Sequence, residues 1–234
     1  MSYSEADLMA CAAARQIRDG ELVFVGMRLP LLAFAIAKRV HAPSAFGVFE
    51  AGIVRDEVPR AALHTMGDGA NVAGAAWCTS LTNVMSLLGR GEVALGMIGG
   101  AEIDRRGNVN TSYIGRWEHP TVKLPGSGGG ADIACLAQRT VVILAQERHR
   151  FVERVSYVTS PGRNLAQVVT TAGLLGMRDG ELVLESVHPG RTVDEVRELC
   201  GWDLRVADDV GETPPPTAEE LAALRTSDVQ TAEP

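Results

Sequence analysis

A chain of 234 residues with 46% apolar side chains is long enough to bury the core of one generous α/β domain without disulfide or metal staples. Its 22 basic and 29 acidic residues leave a formal net charge of −7, and with no block of Lys or Arg this excludes the phosphate-neutralising face of a nucleic-acid-binding protein. No run of about 18 apolar residues exists, and the opening MSYSEADLMA is acidic where a secretory signal is basic and then apolar, so a cytoplasmic chain without a membrane span is expected.

Ser2-Tyr3-Ser4-Glu5 offers a capping box for a first helix, whose apolar positions recur through Leu8, Ala12 and Ile17 until Gly20 stops it. Residues 21–26 (ELVFVG) have the length and β-branched content of a strand. Pro30 then opens the helix LLAFAIAKRV, apolar enough to be buried on most sides. A strand over 46–54, a polar Gly-rich loop, a helix near 79–88 and a strand VALGMIGGAEID follow. This alternation predicts a mostly parallel sheet with helices on both faces. Beyond the SGGGAD loop, TVVILAQE, ERVSYVTS, QVVTTAGLLGM and ELVLESVH come in close succession with turns such as Asp179-Gly180, which predicts an antiparallel extension. Two capping boxes, Thr192 with Glu195 and Thr217 with Glu220, start the last helices, and GETPPPT between them is a stiff linker. No internal repeat or boundary is visible, so residues 1–226 read as one domain and 227–234 as a frayed polar tail.

Cys11, Cys78, Cys135 and Cys200 lie far apart without a CxxC and read as reduced, mostly buried side chains. The five histidines (41, 64, 119, 149 and 188) have no metal spacing, so no metal site is expected. Ser80 and Ser112 lack a nucleophile-elbow motif, and ERHRFVERV reads as a solvated charged face. Two features stand apart. Glu50 is the one charge in AFGVFEAGIV, where seven of its nine neighbours are apolar and two are glycine. Burying an unpaired carboxylate is costly, so such a run usually excludes one. Glu50 is therefore either a strand-end charge facing solvent or a carboxylate kept for chemistry. The second feature is the loop from Pro125 to Asp132, where Gly128, Gly129 and Gly130 let backbone N–H groups converge on an anion or oxyanion. A flexible crossover explains the same glycines, and neither P-loop nor dinucleotide-binding spacing is present.

From about Ser4 to about Arg225 the chain resembles the family I CoA-transferases, the glutaconate-type β subunit in particular. The blocks arrive in family order: RDGELVFVGMRLPL, AKRVHAP, FEAG, GMIGGAEIDRRGNVNTSYIG, HPTVKLPGSGGGADIA, RFVERVSYVTSPG, then LLGMRDGELVLESVHPGRTVDEV and GWDLRV. The resemblance implies a three-layer α/β sandwich and an α-type partner subunit, as a heterodimer or an α2β2 heterotetramer. It also implies coenzyme A or an acyl-CoA as substrate, with no permanently bound cofactor. It puts the catalytic glutamate at Glu50, in Glu50-Ala51-Gly52, and implies a ping-pong transfer of CoA to a small, dicarboxylic acid. Gly128, Gly129 and Gly130 would border the CoA site, and Asn108 and Asn110 would make polar contacts to substrate or thioester. Acyl-CoA decarboxylases and ring-opening hydrolases of this architecture have lost the nucleophile, so the alternatives are such an enzyme with Glu50 as base, or a non-catalytic partner of an α-type chain. Two departures bear on acyl specificity: a shorter loop after Gly162 and a shorter C-terminal tail than the glutaconate-type protein has.

Overall fold

The computed structural model describes residues 2–59, 61 and 63–226, so the tail expected at 227–234 lies outside the described residues. The described residues divide into two compact units, one of residues up to 98 with 136–138 and those from 216 onward, the other of residues 99–135 with 139–215. Among the described residues no helix is long and apolar enough to cross a membrane.

In the first unit, helix α1 (Glu5–Ala14) is capped by Ser4. The Ser4 hydroxyl accepts the Asp7 N–H at 3.1 Å, and the Asp7 carboxylate accepts the Ser4 N–H at 2.8 Å. The box is set two residues later than the Ser2/Glu5 frame, and the helix ends at Ala14, well short of Gly20. The Gln16 and Ile17 N–H groups turn back to Ala13 and Ala14, which tightens the chain off the helix while Ile17 stays buried. Strand β1 (Leu22–Phe24) leads to helix α2 (Leu29–Val40), which begins around Pro30 and buries Leu31, Phe34 and Ile36 as its composition requires. The single strand expected over 46–54 is instead a hairpin, β2 (Phe46–Phe49) and β3 (Ile53–Arg55). A short helix α3 (Gly69–Val72), strand β4 (Trp77–Cys78), helix α4 (Leu81–Gly89) and strand β5 (Leu95–Ile98) follow. The strands lie in the order β5-β1-β2-β3-β4; β1 is parallel to both β5 and β2, and β3 and β4 add antiparallel edges.

The second unit opens with β6 (Glu102–Asp104) and β7 (Val109–Asn110), then the exposed hairpin β8 (Tyr113–Arg116) and β9 (His119–Lys123). Helix α5 (Gly130–Leu136), strand β10 (Arg139–Ile143) and strand β11 (Phe151–Val152) come next. Strands β12 (Leu165–Val169), β13 (Gly173–Arg178) and β14 (Glu181–Val187), helix α6 (Val193–Glu198) and strand β15 (Arg205–Glu212) complete it. Here the order is β15-β14-β13-β12-β10, with β10·β12 and β14·β15 parallel and the hairpins β12·β13 and β13·β14 antiparallel. The α/β class and the combination of parallel ladders with an antiparallel extension are therefore those read from the sequence. Several details differ, among them that QVVTTAGLLGM folds as the hairpin of β12 and β13 and that the β8–β9 hairpin was not expected. VALGMIGGAEID is broken after Ile98, and its second half, β6, joins the small sheet β11-β6-β7. ERVSYVTS forms no strand beyond an isolated bridge from Ser160 to Val109. Strand β15 has no counterpart in the sequence reading.

The chain then returns to the first unit through helix α7 (Ala218–Arg225), capped by Thr217 and Glu220 as expected. Glu220 also takes a two-pronged ion pair from α1, with Arg15 Nε at 2.8 Å and Nη2 at 2.7 Å from its two oxygens. The α6 box of Thr192 with Glu195 is present too.

Candidate active site

Glu50 sits at the tip of the β2–β3 hairpin. The register pairs Phe49 with Ile53, leaving Glu50, Ala51 and Gly52 as a three-residue loop. The Gly52 N–H closes the turn on the Phe49 carbonyl at 3.0 Å, and Gly52 takes φ +90°, as this loop class requires of its last residue. Gly52 is needed on a second count, since its carbonyl accepts the Thr79 N–H at 2.7 Å and an added Cβ would run into the Thr79 carbonyl oxygen. The glutamate is thus on a turn that backbone geometry alone holds in place. Its side chain is half-buried, and among the described residues it has no hydrogen bond or ion pair.

Beside it lies a cavity of about 350 Å³ lined by Glu50, Ala51, Met66 and Leu81. Apart from the carboxylate, that lining is apolar. Each wall is anchored by polar contacts away from the cavity. Arg55, 1% exposed, donates from Nη1 to the carbonyls of Asn71 (2.6 Å) and Ala73 (2.9 Å) and from Nε to that of Glu57 (3.0 Å). Asn71 in turn donates to the Met66 carbonyl at 2.7 Å, so one buried arginine ties down the segment that carries Met66. Leu81 is the first residue of α4, which Ser80 caps by accepting the Asn83 N–H at 3.3 Å. Sequence reasoning missed Arg55, Met66 and Leu81, because nothing in IVRDEV distinguishes a buried arginine from a surface one.

The other expected site residues belong to the second unit. Gly126 and Gly128 take φ +101° and +48°, and the Gly130 N–H donates to the Ser127 carbonyl at 2.9 Å, while Ala131 N–H is taken by the Ser127 hydroxyl at 3.1 Å. Of the three glycine amides, those of Gly128 and Gly129 have no acceptor among the described residues; Gly128 is exposed and Gly129 is buried.

Asn108 and Asn110 are engaged with the protein. Asn108 donates through Nδ2 to Asp104 at 3.1 Å and accepts the Gly162 N–H at 3.1 Å. Asn110 is fully buried; its Nδ2 donates to Glu102 and to the Tyr113 carbonyl, both at 2.7 Å, and its Oδ1 accepts the Ser112 N–H at 2.9 Å. Such a saturated amide shapes the 102–113 loop and offers no group to a substrate. The buried carboxylates Glu102 and Asp104 were not singled out by sequence; Asp104 is capped by the N–H groups of Arg106 and Asn108, each at 3.0 Å.

The comparisons with known proteins agree on one family. A family model described as coenzyme A transferase matches residues 7–199. One of the subunits of 3-oxoadipate CoA-transferase from Pseudomonas knackmussii is 32% identical, covering 99% of this chain and 95% of that protein. The corresponding subunit of glutaconate CoA-transferase from Acidaminococcus fermentans is also 32% identical, over 94% of this chain and 91% of that protein. The solved glutaconate coenzyme A-transferase structure from that organism superposes with a TM-score of 0.90 at 28% identity, covering 97% of this chain and 95% of that one. The decarboxylase AibA/AibB is structurally similar as well, with a TM-score of 0.89 at 26% identity over 97% of this chain and 95% of that chain. On the family match and the near full-length identity, the chain belongs to the coenzyme A transferase family.

Proposed function

We propose that this chain is the β subunit of a two-subunit CoA-transferase and that the Glu50 carboxylate is its nucleophile. The observation that carries the reading is a half-buried, unpartnered carboxylate at the tip of a fixed turn, facing an apolar wall. A carboxylate without ion-pair or hydrogen-bond partners keeps its lone pairs for attack, and an apolar wall keeps water from the activated intermediates. The Glu50 oxygen attacks the thioester carbonyl of a donor acyl-CoA, and collapse of the tetrahedral intermediate expels CoA thiolate and leaves an acyl-glutamyl anhydride. The thiolate attacks the glutamyl carbonyl, releases the donor acid and leaves a glutamyl-CoA thioester. An acceptor carboxylate reverses these steps. Each oxyanion needs N–H donors aimed at it. Both relatives are named as one subunit of a CoA-transferase, which supports an α-type partner for this chain.

The test is chemical trapping in the assembled pair. Incubation with acyl-CoA and then borohydride is expected to reduce a thioester on residue 50 to the alcohol, seen by mass spectrometry, and to inactivate the enzyme. Glu50→Gln keeps the shape but is not a nucleophile, so turnover should fall by about 10³-fold or more. Release of CO2 or free acid without an adduct would favour the second reading, a decarboxylase or hydrolase, which the likeness to AibA/AibB supports.

A further inference from the structure

Two residues other than glycine hold a positive φ among the described residues, Arg28 at 63° and Asp179 at 54°. Asp179 belongs to the Asp-Gly turn between β13 and β14, where that conformation is ordinary. Arg28 is different. Its ψ of −120° places it outside the left-handed helical well, in a region that glycine reaches freely and other residues rarely enter. The chain on either side of it is constrained. Gly26 packs so tightly that an added Cβ would meet the Met97 carbonyl oxygen at 3.1 Å and Pro30 Cγ at 3.2 Å. The Arg28 carbonyl accepts the Leu32 N–H at 3.1 Å, which opens the first turn of α2. Glycine would sit here unstrained, yet the residue is an arginine.

Its location suggests a use for the strain, because backbone outliers of this kind cluster at active sites and ligand clamps. Strands β1 and β2 are parallel, Phe24 lies opposite Val48, and the Val25 N–H donates to the Val48 carbonyl at 2.9 Å. The chain leaving β1 through Met27 and Arg28 therefore emerges at the same end of the sheet as Glu50 leaving β2. That end is the carboxyl edge of parallel strands, where α/β folds hold ligands, and neighbouring strands there are about 4.8 Å apart. The Arg28 side chain is exposed, and its guanidinium has no hydrogen bond or ion pair among the described residues. The cavity beside Glu50 has no cation of its own.

We propose that Arg28 is a specificity-determining residue that holds an anionic group of the substrate at the Glu50 end of the sheet. The proposal rests on Glu50 being the reacting carboxylate. A guanidinium presents a planar pair of donors to a carboxylate or a phosphate, so the anion is either the second carboxylate of a dicarboxylic acid or a phosphate of CoA.

Equilibrium binding to the assembled two-subunit enzyme separates these sources. Dicarboxylates from succinate to adipate, butyrate as the singly charged control, and CoA are titrated by calorimetry into wild type, Arg28→Gly, Arg28→Ala and Arg28→Lys. Glycine removes both charge and strain, alanine removes the charge only, and lysine keeps both. The Gly and Ala variants are expected to bind dicarboxylate or CoA about tenfold more weakly, with butyrate unchanged and the Lys variant within a few-fold of wild type. Arg28→Gly alone should melt a few degrees higher than wild type, as relief of backbone strain predicts. A loss confined to dicarboxylates assigns the distal carboxylate, and a loss confined to CoA assigns its phosphates. If no dicarboxylate binds wild type, the CoA titration decides. Wild-type binding of every probe by Arg28→Gly, or an equal loss for butyrate, would overturn the proposal. Because these titrations need no turnover, they stand apart from adduct trapping on Glu50, whose failure would sink the transferase reading by itself.

Discussion

At the scale of single residues, the turn that carries Glu50 depends on a glycine. Gly52 holds φ +90°, and a Cβ there would collide with the Thr79 carbonyl. Gly52→Ala should therefore destabilise the chain by about 2–4 kcal/mol, a positive-φ penalty plus a backbone clash. Transfer should fall as well, because relief of the clash moves the turn that carries Glu50. Urea denaturation followed by steady-state assays checks both, and unchanged stability would mean the turn can slide away from β4. Glu50 stood out in the sequence because one charge in an apolar run is a physical anomaly, though the run alone left a strand-end charge and a catalytic carboxylate both open. Its surroundings did not stand out. Met66 and Leu81 reach it from distant segments, and buried Arg55 looks in the sequence like any polar strand end. Asn108 and Asn110 stood in a block recognisable by family, yet their amides serve Asp104, Gly162 and Glu102, a use that only three-dimensional partners reveal.

At the scale of elements, local chemistry was read well and long-range pairing poorly. The capping boxes of α6 and α7 were visible because both partners lie within four residues. Strand β15 was invisible because its faces are mostly exposed and carry no apolar period, whereas Val155, Tyr157 and Val158 imitated one without forming a strand. The docking of α7 on α1 makes an element-scale prediction. Burial pushes the Glu220 carboxyl up, but the Arg15 guanidinium and the Thr217 N–H outweigh it and hold the group below its usual value of 4.5. A depressed folded pKa contributes stability that is fully present above the unfolded value and is lost as pH falls through the folded one. Glu220→Gln should thus cost about 1–3 kcal/mol at pH 7, a range set by a pair that is partly open to water on the Arg15 side. The gap to wild type should shrink as pH drops below 4.5. Thermal melts at pH 7, 5 and 3.5 measure it, and a gap independent of pH would remove the ion pair as its cause.

At the scale of the whole molecule, the cavity beside Glu50 is too open for the proposed chemistry. Leu81 is 51% exposed and Ala51 is exposed too, so the cavity lining walls the carboxylate on one side and leaves these residues open to water. An acyl-glutamyl anhydride left open to water would hydrolyse before CoA or an acceptor reached it. On the proposed reading the α-type partner supplies cover from water and much of the acyl pocket, so the pocket could not be read from this sequence alone. The isolated chain is accordingly expected to show no CoA transfer, and titration with the α-type subunit should raise activity to a plateau at one partner per chain. Glu50→Gln sharpens the test. The substitution keeps side-chain shape, so the variant should assemble normally and trap partner in dead pairs. With partner limiting, an equal mixture of wild-type and Glu50→Gln chains should show half the wild-type rate, falling linearly with variant fraction if each pair has its own site. A steeper fall would mean that neighbouring sites depend on one another, and undiminished activity would mean that the variant fails to assemble or that Glu50 is not the nucleophile. Gel filtration of the variant with its partner tells those last two apart.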